Sequence, residues 1–319
     1  MYRPEIKVLD CTIRDGGLIN NHLFDDKLIK AVYLAASMAG VDYVELGYRL
    51  SKKQYDPDKF GRSKFCDDDF LKEMTAGVPN GAKIATMVDI GRVELDQVPH
   101  KKDSVVDLMR TACYVKDVDK AIEYTKHFTQ KGYETTINIM AISTALQPDL
   151  EEALAEISHC PVKAVYVVDS YGALFSEQID FLVNLYKKHL HPKGIEVGIH
   201  THNNRQLAFA NTIEAIRLGA NWLDASIFGI GRGPGNCNLE LLLAFLKNPK
   251  FRLDPILEVI EKEFLPLREK MEWGYIIPYM ITGILNQHPR AAIALRNSKD
   301  KDKYADFYKT LSGQDIDLV

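Results

Sequence analysis

The stretch KVLDCTIRDGG (residues 7–17) carries an apolar β-rich run straight into Arg14-Asp15-Gly16-Gly17, and GIEVGIHTHN (residues 194–203) carries another into His200-Thr201-His202-Asn203. A strand alternates its side chains, so His200 and His202 fall on one side of theirs, and two imidazoles spaced this way can grip one metal ion. An Asp from elsewhere would complete the site with an anionic oxygen. If the fold brings both strand ends to one mouth, the chain holds a divalent ion with an arginine beside it. Such a pairing polarises a carbonyl and stabilises an enolate.

Working outward, short β-rich runs alternate with amphipathic stretches through most of the chain. Eight strands are expected: 6–11, 43–46, 83–88, 104–111, 134–142, 164–168, 195–202 and 222–228. Helices are expected over 26–38, 118–130, 176–189 and 205–218, with Gly40, Gly132, Gly194 and Gly219 at helix ends. Eight alternating units over about 250 residues predict an α/β fold, the (β/α)8 TIM barrel, whose active site lies at the C-terminal ends of the strands. An open doubly wound sheet is the competitor, but its glycine-rich phosphate fingerprint is missing after the first strand. The expected organisation is a catalytic barrel over residues 1–250 and a C-terminal helical extension over 251–319, with the charged stretch 297–303 as a solvated turn.

Composition narrows the class. The 319 residues are 46% hydrophobic and 26% charged, with net charge −4, ordinary for a soluble enzyme and without the basic patch of a nucleic-acid binder. Five widely spaced cysteines without a CxxC pair argue against a disulfide framework or zinc ribbon. No apolar run reaches the roughly 20 residues of a membrane span, and no signal-like segment opens the chain. The expectation is a cytoplasmic protein acting on a small molecule, with no nucleic acid and no membrane as partner, and with C-terminal helices that could support a homo-oligomer.

The run LDCTIRDGG, the segments Val44-Glu45-Leu46-Gly47 and Val168-Asp169-Ser170-Tyr171-Gly172, GIHTHNN and the late GRGPGNCNLE stand in the order found in the DRE-TIM metallolyases. The chain resembles that family, which includes hydroxymethylglutaryl-CoA lyase, isopropylmalate and citramalate synthases and 4-hydroxy-2-oxovalerate aldolase, over roughly residues 5–250. The resemblance implies a barrel, a divalent ion such as Mg2+ or Mn2+, and a carbon–carbon bond made or broken beside a carbonyl. It implies Asp15, His200 and His202 as ligands and Asn236 as a fourth, where a turn Asn beside a Gly is the plainer account. Mixed carboxylate and imidazole ligation also suits a hard or borderline divalent ion on chemical grounds.

Arg14 is the electrostatic candidate, since its guanidinium can donate to a ketone oxygen as it becomes an enolate. Ser170 and Arg110 stand where they could bind substrate, and Glu45 either serves the metal surroundings or forms a buried salt bridge with Arg14 or Arg110. In the resembling aldolases a histidine three residues after the Asp acts as acid/base; here that position is Leu18, so His22 or Tyr48 would take the role. Cys237 reads as a small buried residue, and the glycine loop 229–235 as a tight turn or an anion cradle. The expected function is a metal-dependent aldolase or lyase acting on a 2-oxo acid or related carbonyl compound. A Claisen-type acyl-CoA synthase or lyase, or a lapsed barrel retaining only metal or partner binding, is the alternative.

Overall fold

Eight parallel strands close on themselves in the computed structural model of the chain, which describes residues 2–313. They are β1 (Lys7–Asp10), β2 (Tyr43–Tyr48), β3 (Lys83–Asp89), β4 (Leu108–Cys113), β5 (Glu134–Ile139), β6 (Ala164–Asp169), β7 (Glu196–Thr201) and β8 (Trp222–Ala225). Each pairs with its neighbour in chain order. β8 returns to β1 through Lys7↔Trp222 and Asp10↔Ala225, so the sheet is a closed TIM barrel with no edge, not the open sheet.

The strands are almost wholly buried because helices cover their outer face and side chains fill the interior, which is why they read as near-continuous apolar runs. Alternation then sorts the exceptions. In β2, Val44 and Leu46 join the sheet–helix core while Tyr43 packs inside with Trp222. Glu45 in β2, Arg110 in β4, His200 in β7 and Asp224 in β8 share the inward parity and are buried.

Strand ends differ from expectation for local reasons. β4 starts at Leu108 instead of Ser104 because Asp68 takes up Ser104 Oγ and the Val105 amide before pairing begins. β5 stops at Ile139 and β8 at Ala225, where Ala141 and Phe228 turn the chain at φ 51° and 54°. Helices Asp26–Met38 and Val118–Gln130 fall where expected, and Ser176–Leu190 runs one residue further. The helix expected from Arg205 begins at Ala208, whose amide donates to Asn203 Oδ1 at 3.1 Å. Helices Asp68–Thr75, Gln147–Ile157 and Leu239–Leu246 extend the ring. The strict alternation fails once: β3 reaches β4 through 3-10 turns at Leu95–Gln97 and Lys101–Asp103, with Pro99 between them.

Beyond the ring the chain is helical over 254–268 and then at Ile277–Ile284, Arg290–Arg296 and Tyr304–Ser312. Residues 314–319 of the expected extension lie outside the described residues. The extension first packs along the Asp26–Met38 helix, and from Trp273 it lies on the catalytic face: Asn286 Nδ2 donates to Ser143 O at 3.1 Å, Asn204 Nδ2 to Tyr279 O at 3.0 Å, and Trp273 Nε1 to Phe228 O at 2.9 Å. These tie it to the loops after β5, β7 and β8. The stretch 297–303 is a mostly exposed turn between the last two helices. Among the described residues, no helix is long and apolar enough to cross a membrane.

Candidate active site and metal centre

His200, in β7, and His202, just beyond it in a bridge with Asn236, sit with ring centroids 5.0 Å apart. Nδ1 of His200 lies 2.9 Å from Asp224 Oδ2, and Nδ1 of His202 lies 3.1 Å from the Asp169 carbonyl oxygen. A carboxylate and a carbonyl oxygen accept, so Nδ1 is the N–H in each ring and Nε2 carries the lone pair. Both Nε2 atoms are buried without a hydrogen-bond partner. Potential ligand atoms of Asp15, His200 and His202 all lie within 4.8 Å of one another. His202 Nε2 is 3.5 Å from Asp15 Oδ2, too long for a good hydrogen bond. Asn236 Nδ2 donates to Asp15 Oδ2 at 2.7 Å while its Oδ1 is buried and unpartnered. Orphaned imidazole nitrogens beside a carboxylate and an amide oxygen fit a divalent ion, and the Nδ1 partners are the supports that orient such ligands.

Asp15 is carried by a one-turn helix, Thr12–Gly16, that directly follows β1. Arg14 Nη1 donates to Asp15 Oδ1 at 2.8 Å and Nε to Glu45 Oε2 at 2.7 Å. The same Glu45 oxygen accepts from Arg110 Nη1 at 3.0 Å, and Arg110 Nη2 donates to Asp224 Oδ2 at 2.7 Å, which leads back to His200. Glu45 therefore bridges both arginines. This buried chain sets two guanidinium groups against three carboxylates, leaving one negative charge that a bound cation would offset. Burial alone would raise the Asp15 carboxyl, but Arg14 and the histidines hold it well below the usual range. Burial lowers His200 despite the opposing Asp224, keeping the imidazole neutral as ligation requires.

A cavity of about 80 Å3 opens above these groups. Arg14, Asp15, Ser170, His200 and His202 line one side, and Leu18, Tyr48, Met87 and Met140 the other. Of the residues singled out from sequence, Arg14, Asp15, Tyr48, Ser170, His200 and His202 reach it. Asn236 stands against Asp15, and Arg110 lies fully buried in the ion-pair chain, away from the cavity lining. His22 is also buried off the cavity, edge-on to Tyr48 with centroids 5.5 Å apart, held at φ 62°. A Cβ on Gly17 would sit 2.2 Å from its Nδ1, so that glycine makes room for the ring. Burial, with Lys64 and Arg14 nearby, pushes His22 down to about 3. Burial also raises the Tyr48 phenol, against the opposing charge of Arg14.

Three residues escaped the sequence reading: Asp224, Asn138 and Arg232. Asp224 did leave a signal, as a polar residue at inward parity in the apolar strand WLDA, whereas Asn138 is hidden among the polar residues of ETTINI. Arg232 left none, being one residue of a glycine loop. That loop packs inward instead of offering an open cradle: a Cβ on Gly231 would lie 2.6 Å from Asn236 Nδ2 and 2.8 Å from Asp15 Oδ2. Cys237 is buried and burial pushes its thiol up to about 12.

Residues 5–261 match the family model HMGL-like. A 4-hydroxy-2-oxovalerate aldolase of Bacillus thuringiensis (strain Al Hakam) is 27% identical over 286 residues, covering 86% of this chain and 81% of that one. An oxaloacetate decarboxylase of Mycobacterium tuberculosis (strain ATCC 25618 / H37Rv) is 28% identical over 241 residues, 75% and 69% of the two chains. Among solved structures, the N-terminal domain of a candidate aldolase from Bacteroides vulgatus has a TM-score of 0.79 at 30% identity, over 94% of this chain and all 100% of that one. Paired RDGG and HTHN motifs at one barrel mouth and the match over most of the chain thus agree: this chain belongs to the HMGL-like family, as a TIM-barrel enzyme of the lyase and aldolase type.

Proposed function

We propose that the chain is a divalent-metal-dependent carbon–carbon lyase acting on a 2-oxo acid through a pyruvate-like enolate, in the manner of a 4-hydroxy-2-oxovalerate aldolase. The observation that carries this reading is the pair of unpartnered Nε2 atoms, each fixed by its own Nδ1 hydrogen bond and facing Asp15 beside Arg14. A divalent ion such as Mg2+ or Mn2+, held by Asp15, His200 and His202 with Asn236 as a fourth ligand, would act as a Lewis acid on the substrate ketone.

The protein's own groups do the rest. Arg14 has Nε and Nη1 committed to carboxylates, which leaves Nη2 for the oxygen on which negative charge develops. Ser170 Oγ accepts from the Ala141 amide at 2.8 Å, so its hydroxyl proton is free for a substrate carboxylate. In aldol cleavage the 4-hydroxyl gives up its proton, the C3–C4 bond breaks, and its electron pair enters the C2–C3 double bond of the enolate. A proton then returns at C3. Tyr48 is the titratable residue lining the cavity outside the ligand set and the arginines, so the proton delivered at C3 is assigned to its phenol, the 4-hydroxyl proton leaving to solvent, with His22 behind the ring as a packing support.

Leu18 in the cavity favours a second reading, decarboxylation of a 2-oxo acid bearing a carboxylate at C3. Loss of CO2 yields the same enolate and needs no base for a hydroxyl proton, only a donor at C3, which a phenol kept protonated supplies. Incubation of the metal-loaded protein with 4-hydroxy-2-oxopentanoate and with oxaloacetate, scoring pyruvate, acetaldehyde and CO2, decides between them. Pyruvate that disappears on chelation is expected from at least one. Pyruvate from neither, or formation indifferent to chelator, would sink the proposal, and thiol release from acetyl-CoA with a 2-oxo acid would replace it with the Claisen reading.

A further inference from the structure

The cavity over the ligands, at about 80 Å3, is well below the roughly 300–1,000 Å3 that small-molecule sites occupy. A second chamber of about 460 Å3 adjoins it, between the loop after the Thr12–Gly16 helix and the C-terminal helices. Leu18 and Arg232 line both spaces, so the two share a junction, and together they reach the size of a substrate site.

The charge of the outer chamber is one-sided. Arg232, Lys270 and Arg296 face a single acidic residue, Glu272, and Glu272 is paired with Arg296. Lys270 is exposed and makes no ion pair among the described residues. Arg232 is half-buried at the junction, and its guanidinium has only a 3.4 Å contact with the Ser170 carbonyl. Among the described residues, two cations thus stand without a protein anion, one at the neck and one on the wall. Leu18, Ile19, Met271 and Ile293 supply apolar surface between and around them. A ligand satisfying this arrangement has an apolar middle and an anion at its far end.

We infer that the outer chamber is a subsite for a second anionic group, a carboxylate or a phosphate, on the end of the substrate remote from the 2-oxo acid function. Arg232 meets the molecule at the neck and Lys270 at its terminus. Which molecule enters rests on the function proposed above; anion binding by the chamber does not.

Titration calorimetry on the full-length, metal-free protein with succinate and, separately, inorganic phosphate tests the chamber directly. Saturable binding of one probe is expected, the probe that binds identifying the anion. In the R232Q/K270Q variant it should be about two- to thirtyfold weaker, as the loss of two exposed charge contacts predicts. K193Q, an exposed residue before β7 on the opposite face, serves as the control and should bind as the parent does. Neither probe saturating, or equal binding by the double variant, overturns the inference. With metal restored, the kcat/KM ratio of a 2-oxo acid bearing the identified distal anion over 4-hydroxy-2-oxopentanoate should fall in the double variant by a similar factor. An unchanged ratio overturns the subsite. Absence of turnover in the parent counts instead against the lyase function, while the titration still decides the chamber.

Discussion

The two sides of the barrel mouth are built on opposite plans. On the β1, β7 and β8 side every proposed ligand of the triad has an orienting partner: Asp224 behind His200, the Asp169 carbonyl behind His202, Arg14 and Asn236 on Asp15. The rest of the cavity wall is an apolar cluster of Leu18, Met87 and Met140 with Tyr48 of β2, and a nearby histidine, His22, is turned behind the tyrosine ring. Holding an ion takes several donors fixed against a low-dielectric background, whereas moving a proton takes one group in reach of the substrate. The first side defines the type of chemistry, and the second decides which bond it is applied to.

Substitutions can break this contrast in order of severity. His200→Ala removes a donor that nothing nearby replaces, so metal content by elemental analysis and turnover should both fall to background. Tyr48→Phe keeps the ring and the His22 packing but deletes the phenol. It should retain metal and lose about 10²–10⁴ in kcat, the usual worth of acid–base help; a variant as fast as the parent would remove Tyr48 from the reaction.

Asp224→Asn weakens the hold on His200 and leaves Arg110 with a poorer partner, so metal affinity should drop about 10–100-fold, read by competition with a chelator. His22→Gln should cost less than Tyr48→Phe. Because His22 sits at about 3, it is neutral across pH 5–9, and the pH–rate profile of the variant should keep the parent's shape there. A lost limb between pH 5 and 7 would show that His22 titrates in turnover.

The smallest effect concerns Asp10, buried at the end of β1 on the parity of Val8 and accepting from Thr12 Oγ1 at 2.5 Å. Burial raises its carboxyl to about 7 in spite of Thr12, above the ordinary aspartate value of about 3.9. Between those limits the folded chain holds a proton that the unfolded chain has released, so stability declines as pH rises through that window and levels off above it. Asp10→Asn should flatten the decline, as urea midpoints at pH 5 and pH 8 would reveal.

That Asp15, His200 and His202 would meet at one mouth was legible in the sequence, and little of the other side was. His200, His202 and Asp15 are rare residue types at the ends of strongly periodic runs, and strand parity carries their direction. The eight strands were legible for the same reason, while their ends depended on side chains such as Asp68 and on single residues at positive φ. Asp224 was readable only as a breach of apolar pattern, because its partners are 24 and 114 residues away in the chain. His22 and Tyr48 could not be ranked from sequence: His22 follows a loop residue at positive φ, Asn21, and local spacing does not say which way its ring will fall. Leu18 declared its departure from the aldolase pattern at once, and the cavity gives that departure its meaning as an apolar neck.

The pairing of β8 with β1 has a consequence for how the chain would acquire an ion at the proposed centre. Asn236 and Asp15 are 221 residues apart and meet only because the last strand docks on the first. No half-barrel holds the ligand set, so a growing chain cannot capture an ion until nearly three quarters of it has been made. Ion capture is then a late event that rewards complete closure alone, since a ligand that binds only the closed form stabilises that form by mass action. A chelator titration, followed by the exchange of β1 amides, would report ring closure as directly as it reports catalytic competence.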